Sequence, residues 1–218
     1  MRTELFVTPE NIYSKAKDWL DILEPFGRTG RKLVLKPESC ALVVVDMLRY
    51  FAHPEGRAYL PSTAAVIPVI ERLLGKWREI GGTVVFTRHC HRGPRDLGML
   101  GKFFRDYIRC DERDSRIIGE LTPLPSEKVV LKNTYDAFFH TGLDEYLSRR
   151  GVGQVLVTGV LTQMCCETTA RSAFVRGYEV YVPVDALTTS TEELHIGSLR
   201  SLASGVAVMT SADEACGG

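Results

Sequence analysis

The sequence predicts an α/β fold, a three-layer αβα sandwich with a six-stranded, mostly parallel sheet. Short apolar runs rich in β-branched residues alternate with stretches of helical periodicity, which is typical of a parallel sheet that carries helices on both faces. The first run, ALVVVD at 41–46, is apolar up to its final acid, as expected of a central strand buried on both sides. A chain of 218 residues can form one substantial core.

The other elements follow in chain order. Thr8-Pro9-Glu10 predicts the start of a helix that continues to about Leu23, and a connecting arm follows at 24–36. Further strands are predicted at 83–87, 128–132, 155–158, 179–184 and 206–209. The helices between them are expected to begin at Ser62, at Thr141 with Asp144, after Gly159, and at Ser190 with Glu193. We therefore divide the chain into an N-terminal helix and arm, 1–40, and one domain, 41–218.

The segment 88–126 is too long and polar for an ordinary connection. We expect it to form a functional loop or lid, with a helical piece around 100–107.

Charge and composition exclude several classes of protein. Lys+Arg and Asp+Glu number 27 each, and neither sign forms a long run, which argues against nucleic-acid or anionic-membrane partners. Apolar runs stay well short of the roughly 20 residues of a membrane span, and the first residues lack the apolar segment of a secretion signal. We expect a cytoplasmic protein whose partner is a small-molecule substrate. Its six cysteines show no CxxC spacing, so free thiols are expected, one of them a candidate for catalysis.

Three reactive groups are predicted at one edge of the sheet. Ligands bind beyond the carboxyl ends of parallel strands, where Asp46 closes the first strand, Lys132 closes the third and a cysteine follows the fourth. Cys165 and Cys166 both fall where a helix should begin, and its unpaired N–H groups and dipole favour a thiolate. A nearby carboxylate can accept the thiol proton and a lysine can stabilise both anions. Taken singly, Asp46 fits a turn cap as well as a base, whereas Lys132 fits a solvated strand end better than a site residue, and either cysteine fits a buried apolar side chain better than a nucleophile. Spacing does not choose between the two thiols.

The same residues carry a resemblance. The segments VVVDM at 43–47, VVLKNTYDAFFHTGLDEYL at 129–147 and TGVLTQMCCETTARSAFVRGYEVYVPVDA at 158–186 resemble the isochorismatase-like cysteine hydrolase family, which includes nicotinamidase, N-carbamoylsarcosine amidohydrolase and isochorismatase. The resemblance implies Asp46 as general base, Lys132 as stabilising cation and Cys165 as nucleophile. It also implies a cis peptide at Val160-Leu161 beside the oxyanion, a Rossmann-like fold with six parallel strands, and a homo-oligomer, a dimer or tetramer.

Within this family the thiol favours hydrolysis of an amide or carbamoyl C–N bond through an acyl-enzyme. One alternative is vinyl-ether hydrolysis with Asp46 as acid, since VDMLRYF at 45–51 resembles the isochorismatases, although these typically have glycine where Cys165 stands. A second alternative is a catalytically inactive binding or scaffold protein.

Several further residues are candidates for contacts with the substrate. The resemblance places a metal site of nicotinamidases, Asp-x-His with a further His, at His89-Cys90-His91, where the Asp is replaced and Leu97 lies about where the further His is expected. We expect no metal ion or other cofactor; His89 and His91 are the candidates if an ion binds, and otherwise they contact substrate. The remaining candidates are Arg105 for a substrate carboxylate, and Tyr135 and Phe138 for the wall of the pocket.

Overall fold

A parallel seven-stranded sheet forms the centre of the protein, in a computed structural model that describes residues 3–27 and 33–217. Its strands are β1 (Cys40–Val45), β2 (Thr83–His89), β3 (Lys128–Lys132), β4 (Gln154–Val160), β5 (Glu179–Pro183), β6 (Leu187–Thr188) and β7 (Ala207–Thr210). The main path runs β3-β2-β1-β4-β5-β7, and β6 pairs with β4. The predicted αβα class with a mostly parallel sheet is confirmed. The count of six strands omitted β6, whose two residues are too short to leave a periodic pattern.

Helices cover both faces of the sheet. They are α1 (Ile12–Leu23), α2 (Arg49–Ala52), α3 (Thr63–Glu79), α4 (Leu100–Phe103), α5 (Leu143–Arg149), α6 (Glu167–Val175), α7 (Glu192–Ala203) and α8 (Ala212–Ala215). The connection through α3 runs from β1 towards β2, whereas those through α5, α6 and α7 run the opposite way across the sheet. Because such crossovers are right-handed, α3 lies on one face and α5, α6 and α7 on the other. In the described residues, no helix is long and apolar enough to cross a membrane.

The reversal of direction creates a crevice between neighbouring strands. β1 pairs with both β2 and β4, and Val45 at its end lies opposite Gly159. One strand further, His89 at the end of β2 lies opposite Lys132 at the end of β3. The carboxyl ends of four adjacent strands thus meet at the switch point, where open α/β sheets bind ligands.

The N-terminal segment packs on the same core. Phe6, Ile12 and Trp19 are buried, and Trp19 Nε1 donates to Glu192 on α7 at 2.8 Å. The division at residue 40 stays a prediction. Part of the predicted arm, 28–32, lies outside the described residues.

Three predicted helix caps were wrong. Ser62 accepts from Phe6 N–H at 3.2 Å instead of capping α3. Thr191, not Ser190, caps α7 by accepting from Leu194 N–H, and the first helix begins at Ile12 after Asn11. In these cases the chosen side chain was suited to capping, but its direction was not readable from sequence. Thr141 does accept from Leu143 N–H at the start of α5, at 3.3 Å, although Gly142 holds the N-cap position.

The predicted lid is cross-linked within itself by a disulfide and joined to the rest of the molecule by an ion-pair network. Cys90 at the end of β2 is bonded to Cys110, so the prediction that all six cysteines are free thiols was wrong. The helical piece is shorter than predicted and ends at Phe103. Arg57 donates to three carboxylates of the lid, those of Asp106, Glu112 and Asp114, at 2.9, 2.8 and 3.2 Å.

Candidate active site

Four side chains converge at the switch point, one from each strand of the crevice. Asp46 follows β1, His89 ends β2, Lys132 ends β3, and Cys165 lies in a π-helical turn, Thr162–Cys166, after β4. Asp46, His89 and Cys165 place one ligand atom each within 4.8 Å of one another. The structure therefore brings together the three residues that the sequence placed at strand ends, and adds His89 as their direct neighbour.

Asp46 is held by the neighbouring strand. Its backbone has a φ of 46°, a left-handed conformation that L-residues rarely adopt. Thr87 on β2 donates from Oγ1 to Asp46 Oδ1 at 2.6 Å and accepts from Asp46 N–H at 3.0 Å. Sequence reasoning missed Thr87; the available signal was a hydroxyl in the middle of the buried strand TVVFTRH.

Lys132 is the centre of the cluster. Its ammonium lies 2.6 Å from Asp46 Oδ2, and both side chains are fully buried. It also donates to the carbonyl oxygen of Thr134 at 2.9 Å and lies 3.4 Å from Cys165 Sγ and 3.4 Å from His89 Nδ1.

Asp46 and Lys132 are an ion pair at neutral pH. Burial acts to raise the pKa of Asp46, but the Lys132 charge and the neighbouring hydrogen bonds outweigh it and lower that pKa. Burial likewise acts to lower the pKa of Lys132, but the charges of and hydrogen bonds to Asp46 and Cys165 together outweigh it, so that this pKa is raised. A deprotonated carboxylate is therefore available as a base beside the thiol.

Cys165 is a thiol in the resting protein. Burial raises its pKa to about 12, because the lowering effect of Lys132 is smaller than the loss of hydration. The thiolate predicted from a helix start was wrong for this state, because the residue is 5% exposed and lies in a π-helical turn, not in the first turn of α6. Cys165 lines a cavity, whereas Cys166 points its Sγ towards the carbonyl oxygen of Thr158 at 3.8 Å.

The turn before Cys165 needs a glycine. Gly159 has a φ of 106°, and a Cβ at this position would lie 2.1 Å from the carbonyl oxygen of Val45. The next peptide, Val160-Leu161, is cis, and Leu161 lines the cavity beside Cys165.

The cavity is small and mostly apolar. The space within it that the centre of a water molecule can reach is about 130 Å³. It is lined by Tyr50, Phe51, Ala58, His89, His91, Leu97, Leu100, Gly101, Phe104, Asp106, Tyr107, Ile108, Tyr135, Leu161, Met164 and Cys165. In the part of the chain that the structure describes, no lysine or arginine belongs to this lining.

The predicted substrate contacts divide into two groups. His89, His91 and Tyr135 line the cavity. Phe138 and Arg105 do not: the Phe138 ring is buried against Tyr178, 5.9 Å between centroids, and Arg105 is exposed on the lid. The residue types suited a pocket, but neither side chain is directed into it.

The histidines fit a metal ion poorly. His89 Nε2 and His91 Nε2 lie 3.1 Å apart, but Asp96 contacts His91 on the opposite edge of the ring, at Nδ1, and Leu97, which has no ligand atom, is among the lining residues. Two imidazoles fall short of the three protein ligands of a catalytic zinc site. The other possible group, Asp46, His89 and Cys165, already surrounds the ammonium of Lys132.

Comparison with known proteins gives consistent matches. The family model described as "Isochorismatase domain" matches residues 40–214. Nicotinamidase 3 of Arabidopsis thaliana is 40% identical over 187 residues, 84% of this chain and 90% of that protein. Ureidoacrylate amidohydrolase RutB of Cronobacter sakazakii is 33% identical over 177 residues, 71% of this chain and 76% of that protein. The crystal structure of a cysteine hydrolase from Pseudomonas syringae pv. phaseolicola superposes with a TM-score of 0.81 at 29% identity, covering 86% of this chain and 97% of that one.

Proposed function

The chain belongs to the isochorismatase family, and we propose that it hydrolyses the C–N bond of a small, uncharged amide through an acyl-enzyme on Cys165. It is a hydrolase that acts on C–N bonds other than peptide bonds, as are the relatives named nicotinamidase and ureidoacrylate amidohydrolase. One observation carries the proposal. A buried ammonium lies 2.6 Å from a carboxylate and 3.4 Å from a thiol at the wall of an apolar cavity.

In the first step, Cys165 attacks the amide carbon. Because its thiol has a pKa of about 12 and Asp46 a lowered one, the proton does not leave sulfur in the resting enzyme. It passes to Asp46 as the S–C bond forms and the carbonyl π electrons move onto oxygen. The negative charge thus reaches the substrate oxygen, which we expect backbone N–H groups near Leu161 and Cys165 to stabilise.

In the second step, the proton returns to the leaving group. Asp46 donates it to the amide nitrogen, the electron pair on oxygen re-forms the carbonyl as the C–N bond breaks, and ammonia or an amine departs, leaving a thioester on Cys165. Lys132 stabilises the carboxylate that is restored.

In the third step, water completes the cycle. Asp46 takes one proton from water as its oxygen attacks the thioester carbon. The S–C bond then breaks, the acid product leaves, and the proton returns to sulfur. Asp46 thus carries one proton in each half-reaction, and each cycle restores the resting ion pair with Lys132.

The cavity favours flat, uncharged substrates. Rings of Tyr50, Phe51, Phe104, Tyr107 and Tyr135 supply much of its surface. Its one carboxylate is Asp106, which accepts from Tyr50 Oη–H at 3.0 Å and from Arg57 Nε–H at 2.9 Å. Since the described lining has no cation, a substrate carboxylate would enter without a partner, at a desolvation cost. We therefore expect nicotinamide-like amides to be better substrates than ureidoacrylate or N-carbamoylsarcosine.

A substrate panel with matched cysteine variants tests the proposal. Nicotinamide, ureidoacrylate, N-carbamoylsarcosine and isochorismate are assayed with and without chelator, and the quenched enzyme is analysed by mass spectrometry. Cys165→Ala should lower turnover by about a thousandfold or more. Cys166 is the neighbouring buried thiol, and Cys166→Ala should keep most of the turnover if the variant folds. An acyl adduct should appear on Cys165.

Three results would refute it. Amide turnover that survives in Cys165→Ala would exclude the covalent route. Turnover of isochorismate that is untouched by Cys165→Ala but lost in Asp46→Asn would establish vinyl-ether hydrolysis instead. A folded protein that turns over nothing in the panel and forms no adduct would favour the binding or scaffold alternative.

A further inference from the structure

A line of hydrogen-bonding groups runs from the buried lysine to the lid, and its donors can be assigned. Lys132 Nζ lies 3.4 Å from His89 Nδ1, and His89 Nε2 lies 3.1 Å from His91 Nε2. At the far end, His91 Nδ1 lies 3.2 Å from the Asp96 carbonyl oxygen and 3.3 Å from its carboxylate Oδ1. Carbonyl and ionised carboxylate oxygens only accept, so His91 Nδ1 carries a hydrogen.

The tautomers of both rings follow from this end. A neutral imidazole has one N–H and one bare nitrogen, so His91 Nε2 accepts and His89 Nε2 donates. His89 Nδ1 is then bare and faces the Lys132 ammonium, which only donates. Burial and Lys132 lower the pKa of His89 to about 4, which keeps that ring neutral. The opposite tautomer of His89 would place its Nδ1–H against the Lys132 ammonium, and the lone pairs of His89 Nε2 and His91 Nε2 would face each other. If His91 were a cation, its Nε2–H would need His89 Nε2 as acceptor, and His89 Nδ1–H would again face the ammonium.

We propose that a hydrogen bond from His89 Nε2–H to His91 Nε2, called the shared hydrogen below, joins the two rings instead of a divalent cation. The pair is held in place by the contact of His91 with Asp96, and it positions the ammonium of Lys132. The pair is buried, with 9% of His89 and 2% of His91 exposed, which limits competition from water for these bonds.

The hydrogens of Lys132 show what the pair does. The ammonium has three hydrogens and four neighbouring acceptors. Asp46 Oδ2 at 2.6 Å and the Thr134 carbonyl oxygen at 2.9 Å take two. The third lies between Cys165 Sγ and His89 Nδ1, each at 3.4 Å. The bare Nδ1 therefore accepts a hydrogen bond that holds the ammonium beside the thiol. When the thiol loses its proton, the third ammonium hydrogen turns from Nδ1 to the sulfur and stays bonded to Nζ. His89 is thus a positioning residue that acts through Lys132.

Nitrogen NMR of the resting, full-length protein tests the shared hydrogen. With ¹⁵N-labelled histidine at pH 7.5, His91 should show a protonated Nδ1 and a bare Nε2, and His89 the reverse. One equivalent of Zn²⁺ should leave both patterns unchanged. The proposal is overturned if both rings carry their hydrogen on Nδ1 and bind zinc stoichiometrically through Nε2. Because no substrate is present, this outcome is independent of the amide hydrolysis proposed above.

Two substitutions at one position test the positioning role. In His91→Gln the amide oxygen can still accept from His89 Nε2–H, whereas in His91→Leu nothing can. The His89 tautomer should be retained in the first and lost in the second, and kcat of His91→Leu should fall about tenfold below that of His91→Gln, the value of roughly one hydrogen bond. Equal kcat in the two folded variants would refute the positioning role. If either variant fails to fold, the wild-type tautomers still decide whether the hydrogen is shared.

Discussion

Removing one member of the Asp46–Lys132 pair should cost more stability than removing both. In Lys132→Met, the Asp46 carboxylate remains fully buried with Thr87 as its hydrogen-bond donor. Breaking a buried ion pair in this way costs about 3 to 5 kcal/mol, because one charge is left uncompensated. In Asp46→Asn/Lys132→Met no charge is buried, so we expect the double variant to regain about 2 kcal/mol or more. The assay is the free energy of unfolding in urea at pH 7, analysed as a double-mutant cycle.

An exposed pair provides the control for this cycle. Glu145 and Arg149 form an ion pair on α5 with side chains 66% and 77% exposed. Arg149→Met should therefore change stability by about 0.5 kcal/mol or less. If Lys132→Met were equally mild, or if the double variant were as unstable as the two single losses added together, the two charges would not be coupled in the folded protein, and the geometry of the site would be wrong.

Three further predictions concern other parts of the molecule. Burial lowers the pKa of His195 to about 4, so as the pH falls below about 6.5 the unfolded chain binds a proton at this residue and the folded chain does not. From pH 7.5 to 4, the free energy of unfolding of the wild type relative to His195→Gln, measured in urea at each pH, should therefore fall by about 3 kcal/mol. A difference that stays constant with pH would contradict this. Gly159→Ala should cost about 3 kcal/mol or abolish folding, since its Cβ would lie 2.1 Å from a backbone oxygen, while Gly75→Ala on α3, with open space around it, should be neutral or stabilising by up to about 1 kcal/mol in thermal unfolding. Reduction of the disulfide between Cys90 and Cys110, 20 residues apart, should cost about 3 kcal/mol in urea unfolding with and without reductant, and a Cys90→Ser variant should not respond to reductant.

Strand positions were readable from the sequence because a strand that is buried on both faces needs a continuous run of apolar residues. A run such as ALVVVD has few alternatives to a central parallel strand, and α3 repeats its apolar residues at helical spacing. Once the sheet is parallel, the residues that end its strands must share an edge. That placed Asp46, Lys132 and the thiol pair together before any contact was known.

Contacts between side chains were not readable from the sequence. They depend on the direction in which each side chain points, which the spacing of residues along the chain does not determine. Thr87 was part of an apolar strand pattern, and only the pairing of β1 with β2 shows that its hydroxyl meets Asp46. Arg105 and Phe138 have suitable chemistry but do not line the cavity. The bond between Cys90 and Cys110 depends on how the lid folds back onto β2. The expected homo-oligomer and cytoplasmic location stay predictions.

The thiol shows most clearly why local and global effects must be compared. A helix start favours a thiolate by on the order of 1 kcal/mol, which is less than one pKa unit. Burial outweighs this and the nearby Lys132 charge together, and the pKa of Cys165 is raised to about 12. The same burial leaves Asp46 ionised only because Lys132 is 2.6 Å away. In the proposed mechanism, Asp46 is therefore an ionised base in the resting protein, whereas Cys165 is still protonated. Since a carbonyl oxygen is needed to receive the negative charge, we expect the thiol to become reactive when an amide enters the cavity and to stay protonated when none is there.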